Sequence, residues 1–105
     1  MVTMSNDNIN HWPFADPPNV AVYTTADVTE SENPICNVTH EADDGSWQFH
    51  SNAPFPEDVS SIARIVSLQS IVKLDPTISS LADLPLGWRA WRETCQDVWQ
   101  RAPDR

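Results

Sequence analysis

The chain has 105 residues, with 15 acidic and 6 basic side chains and a formal net charge of −9. That length suits one domain with one modest core. Phosphate backbones and anionic membranes are both recognised through Lys and Arg, so this charge balance argues against nucleic acid and against a membrane surface as partners.

Several further classes are excluded by absence. No stretch approaches the roughly 20 apolar residues of a membrane span, and the first residues lack the basic start and apolar core of a secretory leader. The expected location is therefore the cytoplasm, where Cys36 and Cys95 stay reduced. The acidity is also unevenly placed. Residues 1–63 contain no Lys or Arg and ten acids, whereas all six basic residues fall within 64–105 together with the remaining five acids.

Residues 1–18 are polar and carry Pro13, Pro17 and Pro18, which reads as a flexible N-terminal tail ahead of a single domain over 19–105. Trp12 and Phe14 are unusual in such a tail, and fit either packing back onto the domain or a short partner-binding motif. Residues 19–25 are rich in β-branched side chains and predict a strand. An acidic loop, 27–34, precedes a second strand over 35–42. Asp43-Asp44-Gly45-Ser46 is a turn, and 47–51 is the returning strand. With Asp44-Gly45 at the centre of the turn, Ala42 pairs with Trp47, His40 with Phe49 and Thr39 with His50. Alternation then puts Cys36, Val38, His40, Ala42, Trp47 and Phe49 on one face, and Asn37, Thr39, Glu41, Gln48 and His50 on the other.

Residues 52–58 form a proline-punctuated loop ending in Glu57 and Asp58. The next segment, 60–66, fits a helical turn or a strand, with Ala63-Arg64-Ile65-Val66 favouring the strand. Ser67 is placed to cap a short helix over 68–74 whose Leu68, Ile71, Val72 and Leu74 face inward. Asp75 then caps a second short helix with Pro76 in its first position, Ile78, Leu81 and Leu84 along one side, and Pro85 and Gly87 at its end. The last segment is ambiguous. Trp88, Trp91, Cys95, Val98 and Trp99 fall at helical spacing, which favours a helix with Cys95 in the core, yet residues 88–93 and 98–100 around 94–97 also read as a hairpin. The expected fold is α+β, a small antiparallel sheet of three to five strands with two short helices on one face.

Candidate chemistry is sparse. His40, Glu41, Asp43, Asp44 and His50 are of metal-ligating type, but alternation sends the two histidines to opposite faces of their hairpin, so no metal is expected. Cys36 and His40 are separated by roughly 13 Å of strand rise, too far for a nucleophile pair. Two glycines leave no phosphate-cradling loop, and there is no Gly-x-Ser-x-Gly elbow. No catalytic residue, metal or cofactor is assigned, and the chain is not expected to be an enzyme.

Two functions remain open. One is an acidic protein-interaction module that meets a basic protein through Asp43, Asp44, Glu57 and Asp58, with steered association. The other is a stand-alone small-ligand-binding domain with a pocket near His40, Trp47 and Phe49. Trp47, Phe49, Trp88, Trp91 and Trp99 fit a hydrophobic core, and some of them equally fit exposed anchors for a partner beside Arg89 and Arg92. Oligomeric state is not encoded in any feature found.

One ordered series of short motifs runs through the chain: Ser46-Trp47-Gln48-Phe49 after an acidic glycine turn, Val66-Ser67-Leu68, Leu74-Asp75-Pro76-Thr77-Ile78, Leu81-Ala82-Asp83-Leu84-Pro85-Leu86-Gly87-Trp88, then Ala90-Trp91-Arg92-Glu93 and Trp99. Over residues 35–101 this series resembles a family of small uncharacterised bacterial proteins related to the immunity proteins of polymorphic toxin systems. The resemblance implies a small α+β fold in which 88–99 is extended, and it implies an immunity-type inhibitor as the form of the interaction module. It supplies no catalytic residue and does not reach the first 34 residues.

Overall fold

A computed structural model describes residues 12–104. Six short strands form one sheet: β1 (Ala21–Thr25), β2 (Asn37–His40), β3 (Trp47–His50), β4 (Ala63–Ser67), β5 (Trp88–Trp91) and β6 (Gln100–Pro103), in the order β4-β1-β3-β2-β5-β6. The helical elements are a single turn, α1 (Ala26–Thr29), the helix α2 (Leu68–Leu74), and two 3-10 segments, Val59–Ser61 and Pro76–Leu81. The class is α+β as expected. The sheet is larger than three to five strands, and it is mixed: β1 and β3 run parallel, with Tyr23 beside Gln48, while every other pair is antiparallel. The chain leaves β1 through α1, lays β2 down two positions away, and returns with β3 into the gap. Residue alternation reports which face a side chain takes but says nothing of such a skipped place.

Alternation also sorts the two faces. Val22 and Thr24 of β1, Val38 of β2, Trp47 and Phe49 of β3 and Ala90 of β5 are buried on the inner face. Leu68 and Ile71 of α2, and Ile78, Leu81 and Leu84 in and after the second 3-10 segment, pack against them, with Val28 of α1 and Ile35 closing the cluster. The caps are as expected: the Ser67 side chain accepts from Ser70 N–H, and Asp75 accepts from Thr77 N–H with Pro76 in the first position. The second helix is 3-10 rather than α, and Leu74 is exposed rather than inward.

The β2–β3 register differs from the expected one by two residues. His40 pairs with Trp47, Thr39 with Gln48, Val38 with Phe49 and Asn37 with His50. The turn is longer than two residues: Glu41 N–H donates to Ser46 O and Gly45 N–H to Glu41 O, and Gly45 takes the left-handed conformation at its end (φ +76°). Asp44 accepts from Ser46 N–H. A shift of two conserves parity, so each side chain keeps its expected face although its partner changes.

Residues 88–103 form a hairpin, not a helix. Trp91 pairs with Gln100 across a loop that leaves Cys95 exposed, which corrects its expected place in the core. Arg92 decides the matter. Its side chain is buried, and all five of its N–H groups find acceptors: Nε and Nη2 on Ile35 O, Nη2 on Asp75 at 2.7 Å, and Nη1 on Thr77 Oγ1 and Cys95 O. Its guanidinium lies 4.1 Å from the centre of the Trp99 ring. A helix over this segment would carry Arg92 away from β2 and leave Asp75 without its counter-charge. Replacing Arg92 by Ala leaves the buried Ile35 carbonyl and Asp75 Oδ2 without their guanidinium partners. We expect R92A to lose about 3 kcal/mol in a denaturant titration, and R92K to recover only part of it, because an ammonium cannot present the planar fork.

Part of the expected tail belongs to the domain. Phe14 is buried, in edge contact with Trp47 (5.3 Å between ring centres), and Trp12 packs on Phe14. Asp16 accepts from Trp47 Nε1 at 2.9 Å, and Trp12 Nε1 donates to Asp16 O. Residues 1–11 of that segment lie outside the described residues. A loose tail would tolerate any substitution at Phe14; as a core residue, Phe14→Ala should cost about 3 kcal/mol by the same titration.

Candidate functional site

The outer face of the sheet bears no helix of the core layer. Tyr23, Gln48 and His50 project from it, and a groove of about 380 Å³ runs over them. Asp43, Asp44 and Ser46 of the β2–β3 turn line one end, together with Glu41, while Val59 and Ala63 line the other. Of the four expected contact residues, Asp43 and Asp44 thus border the groove directly. Glu57 and Asp58 are exposed in the loop leading to Val59 and do not line the groove. Asp58 accepts from Ser60 Oγ, and its carbonyl from Ser61 Oγ.

A chain of polar contacts crosses the floor. Gln48 Nε2 donates to Glu41 at 3.1 Å, which turns Gln48 Oε1 toward His50 Nε2 at 3.1 Å. His50 must therefore carry its proton on Nε2 when neutral, and Nδ1 is left buried without a partner. Phe55 stands edge-on against the His50 ring at 5.2 Å. Alternation did point Gln48 and His50 outward, but their link to Glu41 spans the turn and had no signal in sequence.

The local electrostatics follow from these contacts. Burial lowers the pKa of His50, and the nearby Asp27 carboxylate opposes that only in part. For Asp27, burial pushes the pKa up, but hydrogen bonds from Ser51, Thr25 and Asn33 outweigh it and hold the carboxyl below its usual value. Asp44 is held below its usual value by the Ser46 N–H and hydroxyl. Among the described residues each arginine pairs elsewhere: Arg64 with Glu30, Arg89 with Asp104, Arg92 with Asp75 and Arg101 with Asp83.

The inner-face histidine is different. His40 stacks on Trp47 (3.9 Å between ring centres, 13° between planes), its Nδ1 is 2.7 Å from Leu84 O, and Trp47 in turn stacks on Phe49. The rings of His40, Trp47 and Phe49 are thus packed on one another. A hollow of about 110 Å³ beside His40 has mainly polar walls, including Thr39, Glu41, Asp43 and Asp104. A concavity of about 430 Å³ lies on the far side of the molecule, between Val28, Pro34, Ile35 and Leu74, with Lys73 and Cys95 at its rim. Among the described residues no group of three or more His, Cys, Asp and Glu side chains is arranged to hold a metal ion. No described helix is long and apolar enough to cross a membrane.

Comparison with protein-family models, with curated proteins and with solved structures finds no match. These comparisons connect the chain to no family.

His50 makes stability depend on pH. Its folded-state pKa lies below its unfolded value, so the unfolded chain binds the proton more readily. The stabilisation is fully present above the unfolded pKa of about 6.5 and is lost as the pH falls through the lowered folded value. Thermal unfolding followed between pH 7.5 and pH 5 should show that decline, and His50→Asn should flatten it.

Proposed function

We propose that this protein is an acidic protein-interaction module that binds a basic protein across the outer face of its sheet, in the manner of an immunity-type inhibitor. The observation that carries this reading is the uncompensated charge around the groove. Glu41, Asp43 and Asp44 line the groove, and Glu57 and Asp58 are exposed just before its lining residue Val59 in the chain, while the described arginines are engaged with other carboxylates. Carboxylates on a concave surface raise the local concentration of a cationic partner and steer its approach. Covering a basic active site in this way would block access to it without any catalytic group on the inhibitor. The same carboxylates repel phosphate backbones and anionic lipid.

A small-ligand pocket near His40, Trp47 and Phe49 has less support, because those rings fill the space between them.

The decisive measurement is the association rate with a basic protein partner, taken at low and high salt. Reversing the charges together (D43K/D44K/E57K/D58K) should slow association roughly tenfold or more at low salt and flatten its salt dependence. All four positions are exposed, so the melting temperature should hardly move. Unchanged association with an unchanged salt slope rejects the reading.

A further inference from the structure

The two edges of the sheet are built differently. At one edge β6 ends in Pro103, which has no N–H, and Arg101 is tied to Asp83 at 3.0 Å. Proline and charge are the usual means of preventing a strand from being added. At the other edge β4 has no proline. Its bonding pattern follows from the hydrogen bonds at its two ends, where Ala26 N–H donates to Ile62 O and Leu68 N–H to Val20 O. Bonded and non-bonded pairs alternate in an antiparallel ladder, so Val66 and Arg64 bond to Val22 and Thr24 of β1. Ala63, Ile65 and Ser67 therefore turn their N–H groups outward. Ile65 also presents its carbonyl, whereas that of Ala63 accepts from the Arg64 guanidinium at 3.0 Å.

The side chains at this edge are apolar and open. Ile65 is 66% exposed, and Tyr23 and Val59 beside it are also exposed. Ala63 and Val59 at the same time form one wall of the acidic groove. A strand added along β4 would stand its side chains opposite Ala63, Ile65 and Ser67 on the outer face, at the mouth of that groove. There, cationic side chains come within a Debye length of the carboxylates around it. The one obstacle is Arg64, whose partly exposed pair with Glu30 is cheap to displace.

We propose that β4 is the docking edge for an extended segment of the basic partner, which joins the sheet as a seventh strand with its cationic residues facing the groove. This rests on the acidic-module reading above and adds the mode of binding to it. Charge complementarity selects the occupant: a second copy of this chain would bring another −9 to the same edge.

A synthetic peptide of four Lys-Val repeats, capped at both ends, serves as probe, with four Glu-Val repeats as its counterpart. Binding of the Lys-Val peptide should protect the N–H groups of Ala63, Ile65 and Ser67 from hydrogen exchange. Ile65→Pro removes an outward N–H without touching the β1 ladder and should weaken binding at least tenfold. Because proline can perturb the strand itself, Ile65→Lys gives a second variant: it keeps the N–H but sets a like charge against the peptide, and should also weaken binding. The charge-reversed D43K/D44K/E57K/D58K variant should reduce affinity and its salt dependence while leaving the N–H groups protected in whatever complex remains.

Salt-dependent peptide binding without protection at those three amides overturns the docking mode and leaves the acidic-module reading standing. Equal affinity for the Glu-Val peptide overturns the choice of a cationic segment, as does failure of the Lys-Val peptide to bind at about 1 mM, the weakest range of specific recognition. Sedimentation of the protein alone as a dimer that Ile65→Pro dissociates would assign the edge to a second copy instead.

Discussion

The fold turns on one buried guanidinium. Arg92 binds the carbonyl that leads into β2, the carboxylate and hydroxyl at the start of the second 3-10 segment, and the loop carrying Cys95. Those three pieces are remote from one another in sequence, and the buried Ile35 carbonyl is a polar group that burial would otherwise strand. A single residue with five donors in a fixed plane satisfies them together, and the Trp99 ring covers the outer side of that plane. Hydrophobic packing explains why the helices sit on the sheet; the Arg92 cluster explains why the C-terminal hairpin joins the sheet beside β2.

That division of labour runs through the whole chain. Arg64, Arg89, Arg92 and Arg101 all engage carboxylates within the molecule, so among the described residues these cations serve shape rather than recognition. Of the acids without a cationic partner, Glu41, Asp43 and Asp44 line the outer-face groove. The Ser46 contacts hold the Asp44 carboxyl below its usual pKa. The inner face, by contrast, spends its polar groups on closure: His40 on Leu84, Trp47 on Asp16 and Thr24 on Phe49.

Much of this was legible in the residues. The caps at Ser67 and Asp75, the helix over 68–74, the faces of the first hairpin and the inward set Ile78, Leu81 and Leu84 all follow from local rules acting over a few residues. What failed to read was non-local. The parallel contact of β1 with β3 depends on a skipped position, and the two-residue register shift depends on Gly45 closing the turn rather than sitting at its centre. Trp88, Trp91, Cys95 and Trp99 mimic a helical stripe because tryptophans spaced for a hairpin with a wide loop happen to recur at three and four. Within the site, the acids at 43, 44, 57 and 58 were visible as charge, but the groove between them exists only once β4 lies beside β1.

The one-sided layering has a consequence for how such a molecule can change over generations. Its core lies on one side of the sheet and the groove lined by Glu41, Asp43 and Asp44 on the other, joined through alternating positions of the same short strands. A substitution at an outward position meets water; one at its neighbour meets the core. On the proposed reading, selection for a new binding target would act on residues whose replacement leaves folding nearly untouched, so partner choice could drift while the scaffold beneath it stays constant.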